Sequence, residues 1–371
     1  MKRSLLSLLI IGSLAFTACT EDNYKPGQKA PEIETEDLLP QKNGKVAVGY
    51  ITYYGTATPA ANEVTQLNYS FAELYMDGDK YIKFGLQGNK SRFDQVMAVK
   101  KKNPNLKIVL SFTNSVENYD NVKGGVFSAL AKDPEARKKF ANDCYAFCVN
   151  NNLDGIDIDW EFPGMTWGSN AYDAQVDVAN HVLLMKDLRE ALGSRFSLSY
   201  AGYIEDMKPV GSDGWKYIDI KGCDPYVDYV YIMTYDLLAA PYHHSALYTG
   251  SYNCDNAVKV YLNAGIKPEK LVMGVPFYAR RDFNSGGVID YKDVVKLGSG
   301  YKIDNWDDAA CVPYITKDGK YYAGYDNARS IDLKGKYVAE KGMAGLMFWD
   351  YDGDDNQGTL RRALWNAVMK Y

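Results

Sequence analysis

The chain has 371 residues, 46% of them hydrophobic, with a formal net charge of −5. That length buries a large core, and no basic patch stands out to meet nucleic-acid phosphates. The three histidines, His181, His243 and His244, show no ligand spacing with the cysteines, which argues against a zinc site. Tyrosine stands out at 31 residues; it packs cores and strands, and it also stacks on sugar faces while hydrogen-bonding their hydroxyls.

Met1-Lys2-Arg3 reads as a basic leader, and Leu5 to Phe16 as an apolar run too short to span a bilayer comfortably. Phe16-Thr17-Ala18-Cys19 resembles a bacterial lipoprotein box, with ordinary secretory cleavage as the alternative. Residues 1–18 are therefore expected to be a signal peptide and Cys19 the lipidated residue. Glu21-Asp22 resembles the signal that carries lipoproteins to the outer face in Bacteroidetes-like bacteria. The expectation is outer-membrane anchoring through the lipid alone, facing the cell surface. Residues 19–44 are polar and contain Pro26, Gly27, Pro31 and Pro40, the composition of a tether. Beyond Cys19, the odd set Cys144, Cys148, Cys223, Cys254 and Cys311 is no disulfide framework. Cys144 and Cys148, four apart on a helical segment, read as small buried hydrophobes.

From Lys45 onward, eight β-rich runs alternate with amphipathic segments. They are 46–53, 65–75, 106–112, 153–161, 195–203, 226–235, 270–278 and 342–350. Between them, stretches such as 134–151 and 175–193 carry apolar residues at the helical period. Eight such units predict an α/β fold, a (β/α)₈ barrel, over residues 45–371. A doubly wound sheet is the alternative, but no Gly-rich phosphate loop follows the first strand. Residues 279–341 read as an insertion beside the barrel mouth, between the seventh and eighth strands.

The fourth run, LDGIDIDWEFPG (153–164), is the informative one. Side chains alternate along a strand, so Asp157, Asp159 and Glu161 share the face toward the barrel interior. Ile156, Ile158, Trp160 and Phe162 share the other. Carboxylates about 6.6 Å apart on such a row repel by roughly 2–3 kcal/mol at an effective dielectric of 20. Not all three can be ionised at neutral pH, so a proton is shared along the row. Glu161 ends the row at the carboxyl end of the strand, where barrel active sites are built. A carboxyl raised by anionic neighbours suits protonation of a leaving oxygen. A solvated surface strand does not fit the large apolar alternates, and a calcium loop does not fit Ile158, Trp160 and Phe162. The second acidic run, DYDGDDNQG (350–358), reads as a solvated loop capping the final helix.

Asp154, Asp157, Asp159 and Glu161 match D-x-x-D-x-D-x-E, and the chain resembles glycoside hydrolase family 18, the chitinases and their relatives. NYSFA (68–72), MTYD (233–236), GVPFYAR (274–280) and GLMFWDYDGD (345–354) resemble that family's second, sixth, seventh and eighth strands. The third strand departs from it, with Ser111-Phe112-Thr113-Asn114 in place of a Ser-x-Gly-Gly turn. The resemblance implies a retaining glycosidase without a cofactor or metal, acting on glycans that contain N-acetylglucosamine. In that family the substrate's own 2-acetamido group attacks the anomeric carbon. Glu161 would be the acid, Asp159 would orient the acetamido group, and Asp157 would share its proton. Tyr235 would hold the acetamido carbonyl. Met233 and Asp236 would line the site, Trp349 would stack under the sugar, and Tyr50 and Phe71 would close the pocket. A chitinase is the leading expectation. An endo-β-N-acetylglucosaminidase acting on N-glycans is the alternative, and a lectin on the same barrel a further one. A monomer is expected.

Overall fold

The computed structural model describes residues 38–116, 126–165, 171–284 and 286–371. The expected signal peptide, Cys19 and most of the tether lie outside the described residues. Eight parallel strands form the core: β1 (Val46–Thr52), β2 (Gln66–Asp77), β3 (Lys107–Thr113), β4 (Gly155–Asp159), β5 (Ser197–Gly202), β6 (Tyr229–Ile232), β7 (Leu271–Pro276) and β8 (Gly345–Trp349). Neighbours pair in sequence order, and β1 pairs with both β2 and β8, which closes the barrel. Each of the eight β-rich runs supplies one strand.

Alternation sorts the residues as it must in a closed sheet. Val48 and Tyr50 of β1 point inward and pack with Tyr231, Val272 and Met347, while Ala47 and Ile51 pack outward beneath the helices. The interior also holds polar groups, several of them paired with one another. Gln66 donates to the Tyr231 hydroxyl at 2.6 Å and to Asn68 Oδ1 at 2.7 Å. On the outward face of the fourth run Ile156, Ile158 and Trp160 join the core, and Trp160 stacks on Phe127 at 5.5 Å.

Helix Pro134–Asn151 shows how local chemistry sets the boundaries. Asp133 accepts the Glu135 N–H, Pro134 opens the first turn, and Asn152 closes the helix in the left-handed region at φ 55°. Cys144 and Cys148 on this helix are buried free thiols. The chain then enters β4 through Asp154, whose carboxylate accepts Ile108 N–H at 2.7 Å and pairs with Lys100 at 2.7 Å. Gly155 follows because a side chain there would meet the Ser197 carbonyl at 2.3 Å.

Several features add to the sequence reading or depart from it. β2 runs on past the barrel and pairs with an antiparallel ninth strand, Lys80–Leu86, through a turn at Gly78 (φ 59°). Between β7 and β8, a five-stranded antiparallel sheet is built from 278–280, 288–290, 301–307, 312–317 and 320–324. The helix Ala328–Glu340, read with the insertion, instead packs against β7, β8 and the final helix Thr359–Lys370, so it belongs to the barrel ring. In the acidic run 350–358, Asp354 does cap the final helix, accepting Leu360 and Arg361 N–H. It is buried and paired with Arg361 rather than solvated.

Asp154 therefore ends the strand opposite the site, about 16 Å below Asp159 at 3.3 Å per residue. An Asp154→Ala change is expected to cost about 1–3 kcal/mol by leaving the Ile108 N–H without its acceptor and removing the Lys100 ion pair. Denaturant unfolding measures that cost, and turnover by the folded fraction is expected to stay at the wild-type value.

Candidate active site

The β-sheet register brings the first acid its partners. Ser111 on β3 and Ser199 on β5 lie level with Asp157 on either side, and Tyr50 crosses the barrel from β1. All three hydroxyls donate to the Asp157 carboxylate, at 2.8 Å from Tyr50, 2.8 Å from Ser111 and 2.7 Å from Ser199. Asp157 is wholly buried. Burial pushes its carboxyl up and the hydroxyls pull it back, leaving it above the usual range. Three hydroxyls thus hold Asp157 in place beneath Asp159.

Asp159 has no such support. Its Oδ1 is buried and has no hydrogen-bond partner among the described residues. Burial, with the charges of Glu161 and Asp157, drives its carboxyl well above the usual range. Glu161 is pushed up to about 7, by burial first and then by the negative charge of Asp236. Asp159 and Glu161 titrate as a pair, and at neutral pH that pair retains a proton. Both open into a cleft of about 920 Å³ that is also lined by Tyr50, Phe71, Met233, Tyr235, Asp236 and Trp349.

Tyr235 and Asp236 follow β6. A side chain at Gly274 would meet the Tyr235 ring at 2.8 Å, so the glycine of GVPFYAR makes room for it. Burial and the charges of Asp159 and Glu161 hold the Tyr235 hydroxyl well above its usual value, so it remains a proton donor. Asp236 occupies the left-handed region at φ 57°, a conformation that needs support in a residue other than glycine. His244 Nδ1 lies 3.4 Å from its carboxylate, Tyr278 donates to that carboxylate at 2.7 Å, and Arg280 grips both oxygens. Burial would raise this carboxyl, but hydrogen bonds and charge from His244 and Arg280 win and hold it at about 2. It is a fixed anion beside Glu161.

The aromatic residues meet at the other side of the row. Trp349 stacks on Phe71 at 5.7 Å and tilts against Tyr50 at 5.7 Å. The peptide bonds Ser70–Phe71, Glu161–Phe162 and Trp349–Asp350 at this mouth are cis. Beyond Trp349 the groove continues into a polar recess of about 380 Å³ lined by Tyr54, Asp290, Lys292 and Asp350. On the third-strand side, where the sequence departs from the family pattern, Thr113 lines the cleft. Asn114 turns away and accepts Phe127 N–H at 3.3 Å.

Eight of the nine residues named from the sequence line this cleft, and Asp157 lies buried beneath Asp159. Sequence reasoning passed over Ser111, Ser199, His244, Tyr278 and Arg280. Tyr278 and Arg280 stood in the GVPFYAR run already singled out; the serines carry no signal until register places them beside Asp157. Among the described residues, no cluster of histidine, cysteine, aspartate and glutamate has the arrangement of a metal site.

Comparison with known proteins agrees with this geometry. The sequence profile "Glycosyl hydrolases family 18" matches residues 46–354. The chain is 27% identical over 336 residues to Chitinase 1 of Aphanocladium album, covering 78% of this chain and 75% of that protein. It is 29% identical over 318 residues to Chitinase A1 of Niallia circulans, covering 73% of this chain but only 44% of that protein. Among solved structures, a family 18 N-acetylglucosaminidase from Paenibacillus barengoltzii superposes with a TM-score of 0.72 at 27% identity, over 87% of this chain and 99% of that one. The profile spans the barrel from its first strand to the acidic run beyond its eighth, and the chain belongs to glycosyl hydrolase family 18.

Proposed function

We propose that this glycosidase cleaves β-1,4 linkages of N-acetylglucosamine-containing glycans with retention, using the substrate's acetamido group as nucleophile. The observation that carries this reading is the orphaned Asp159 Oδ1. A buried acceptor without a partner costs about 1–3 kcal/mol, and because Asp159 lines the cleft, a turn of its carboxyl would bring that oxygen to a ligand N–H. The amide of a 2-acetamido sugar supplies that group beside an anomeric carbon within reach of Glu161. A plain hexose supplies only hydroxyls there and no internal nucleophile.

In this mechanism Trp349 receives a sugar face and fixes the ring over the acid row. Asp159 accepts the acetamido N–H while Tyr235 donates to the acetamido oxygen, aiming that oxygen at the anomeric carbon. Glu161 gives its proton to the leaving oxygen. As that bond breaks, the acetamido oxygen bonds to the anomeric carbon and a cyclic oxazolinium ion forms. Its positive charge favours the ionised form of Asp159, and Asp157, held by three hydroxyls, keeps the row from losing its alignment. Glu161, now a carboxylate, takes a proton from water, and the hydroxide equivalent opens the oxazolinium from the face the leaving group left. Two displacements on one centre return the original configuration.

The retained Glu161, Asp159 and Tyr235 favour catalysis over a binding role on the same barrel. The names of relatives, two of them chitinases, favour chitin as substrate, and a neighbour named as an N-acetylglucosaminidase supports a reading with the same sugar.

Acid catalysis needs Glu161 protonated, so kcat/KM is expected to fall as pH rises through about 7. Glu161→Gln should abolish turnover, by 10²-fold or more for a lost general acid. Asp236→Asn removes a like charge beside Glu161, makes its ionisation easier and should move the alkaline limb to lower pH. An unmoved limb in Asp236→Asn, or wild-type hydrolysis in Glu161→Gln, contradicts the assignment.

Mass spectrometry of products from chitin oligomers and from a high-mannose glycoprotein, run side by side, separates the two substrate readings. Release of short N-acetylglucosamine oligomers alone is expected. Glycan release from the glycoprotein alone would select the endo-β-N-acetylglucosaminidase reading, and release from neither would overturn hydrolysis of this sugar.

A further inference from the structure

A fully buried ion pair stands behind the turn that carries Tyr235, and we propose that Lys334 and Asp326 are positioning residues for that tyrosine. The inference rests on the role given to Tyr235 above. Lys334 lies on helix Ala328–Glu340, and Asp326 lies between that helix and the last inserted strand, Lys320–Gly324. Their side chains are 0% exposed. Lys334 Nζ donates to Asp326 Oδ2 at 2.8 Å, and Ser330 donates to Asp326 Oδ1 at 2.7 Å. The ammonium also donates to Ser245 Oγ at 2.7 Å.

That last contact has a directional consequence. An ammonium has only donors, so Ser245 accepts from it and must send its own hydrogen elsewhere. It goes to the carbonyl oxygen of Thr234, at 2.7 Å. This carbonyl belongs to the peptide bond between Thr234 and Tyr235. The Thr234 hydroxyl meanwhile donates to the Gly274 carbonyl on β7, at 2.7 Å. The peptide leading into Tyr235 is therefore held on both sides, and everything holding it is buried: Thr234 at 0% and Ser245 at 2% exposure. Leu237 N–H to His244 O at 3.1 Å completes a staple between 234–237 and 244–245.

Stability alone does not account for such a pair, because buried ion pairs can be replaced by apolar side chains of similar size without loss, and sometimes with gain. An apolar pair cannot, however, direct the Ser245 hydrogen at one carbonyl. The chain Asp326–Lys334–Ser245–Thr234 thus links the exit of the inserted sheet to the orientation of the Tyr235 peptide, a link the acid row itself does not provide.

The test compares Ser245→Ala, which deletes one hydroxyl, with the charge-free pair Asp326→Leu/Lys334→Met, each alone and in a Tyr235→Phe background. Expected is a fall in kcat of about tenfold or more in both, with KM within about twofold, since misplacement of a positioning group acts on the transition state. The melting temperature of the charge-free pair should stay near wild type, and neither change should lower kcat further once Tyr235 is Phe. Wild-type kcat in Ser245→Ala while Tyr235→Phe is impaired would overturn this inference and leave the mechanism standing. A full, additive loss in the Tyr235→Phe background would also overturn it. Wild-type kcat in Tyr235→Phe itself would overturn both the inference and the role of Tyr235. Ser245→Ala decides the question by itself should the charge-free pair fail to fold.

Discussion

Water is scarce where this chain places its carboxylates, and the rest of the site follows from that constraint. Asp157, Asp159 and Glu161 rise along one inward face of β4, and burial raises all three. Removed from water, each must find a partner or hold a proton. The barrel answers differently at each level. At the bottom of the row Asp157 is surrounded by hydroxyls from β1, β3 and β5. At the top Glu161 stays a weak acid poised near neutrality. Asp159, between them, is left with an oxygen no described residue satisfies. That unsatisfied level is where the proposed mechanism puts the substrate amide.

A second carboxylate keeps the opposite state for a complementary reason. Asp236 is only half-buried, and His244 and the Arg280 fork hold it ionised at about 2. A permanent anion at this place helps Glu161 keep its proton. Two acids at one mouth are pushed apart in acidity by their surroundings, the arrangement expected where one must donate and the other must not. The inserted sheet contributes directly, because Tyr278 and Arg280 lie on its first strand. Through Asp326 and Lys334 it also reaches the peptide behind Tyr235. It is a working wall of the site, built in the longest of the βα connections.

Much of this was legible in the residues. Buried parallel strands read as near-continuous apolar runs, so all eight showed, and the acids interrupting the fourth marked the site. Tyr235, Asp236 and Trp349 showed through the resemblance of MTYD and GLMFWDYDGD to the family's sixth and eighth strands. What did not show depends on register and packing. Ser111 and Ser199 reach Asp157 only because β3 and β5 align beside β4. Lys334 sits in a helix whose pattern gave no sign that it closes the barrel ring rather than the insertion. The strand Lys80–Leu86 escaped because half its residues face water, and it exists by extending β2.

The central claim is that the substrate's acetamido oxygen is the nucleophile, aimed by Asp159 and Tyr235. Its most direct test measures kcat/KM on one chromogenic N-acetylglucosamine oligomer series, with the reacting acetamido group carrying zero to three fluorines. Fluorine withdraws electron density from the carbonyl oxygen while changing its size little. The account predicts a steep, stepwise fall in rate with each fluorine. A rate independent of fluorination would show that the oxygen does not attack, and would contradict it.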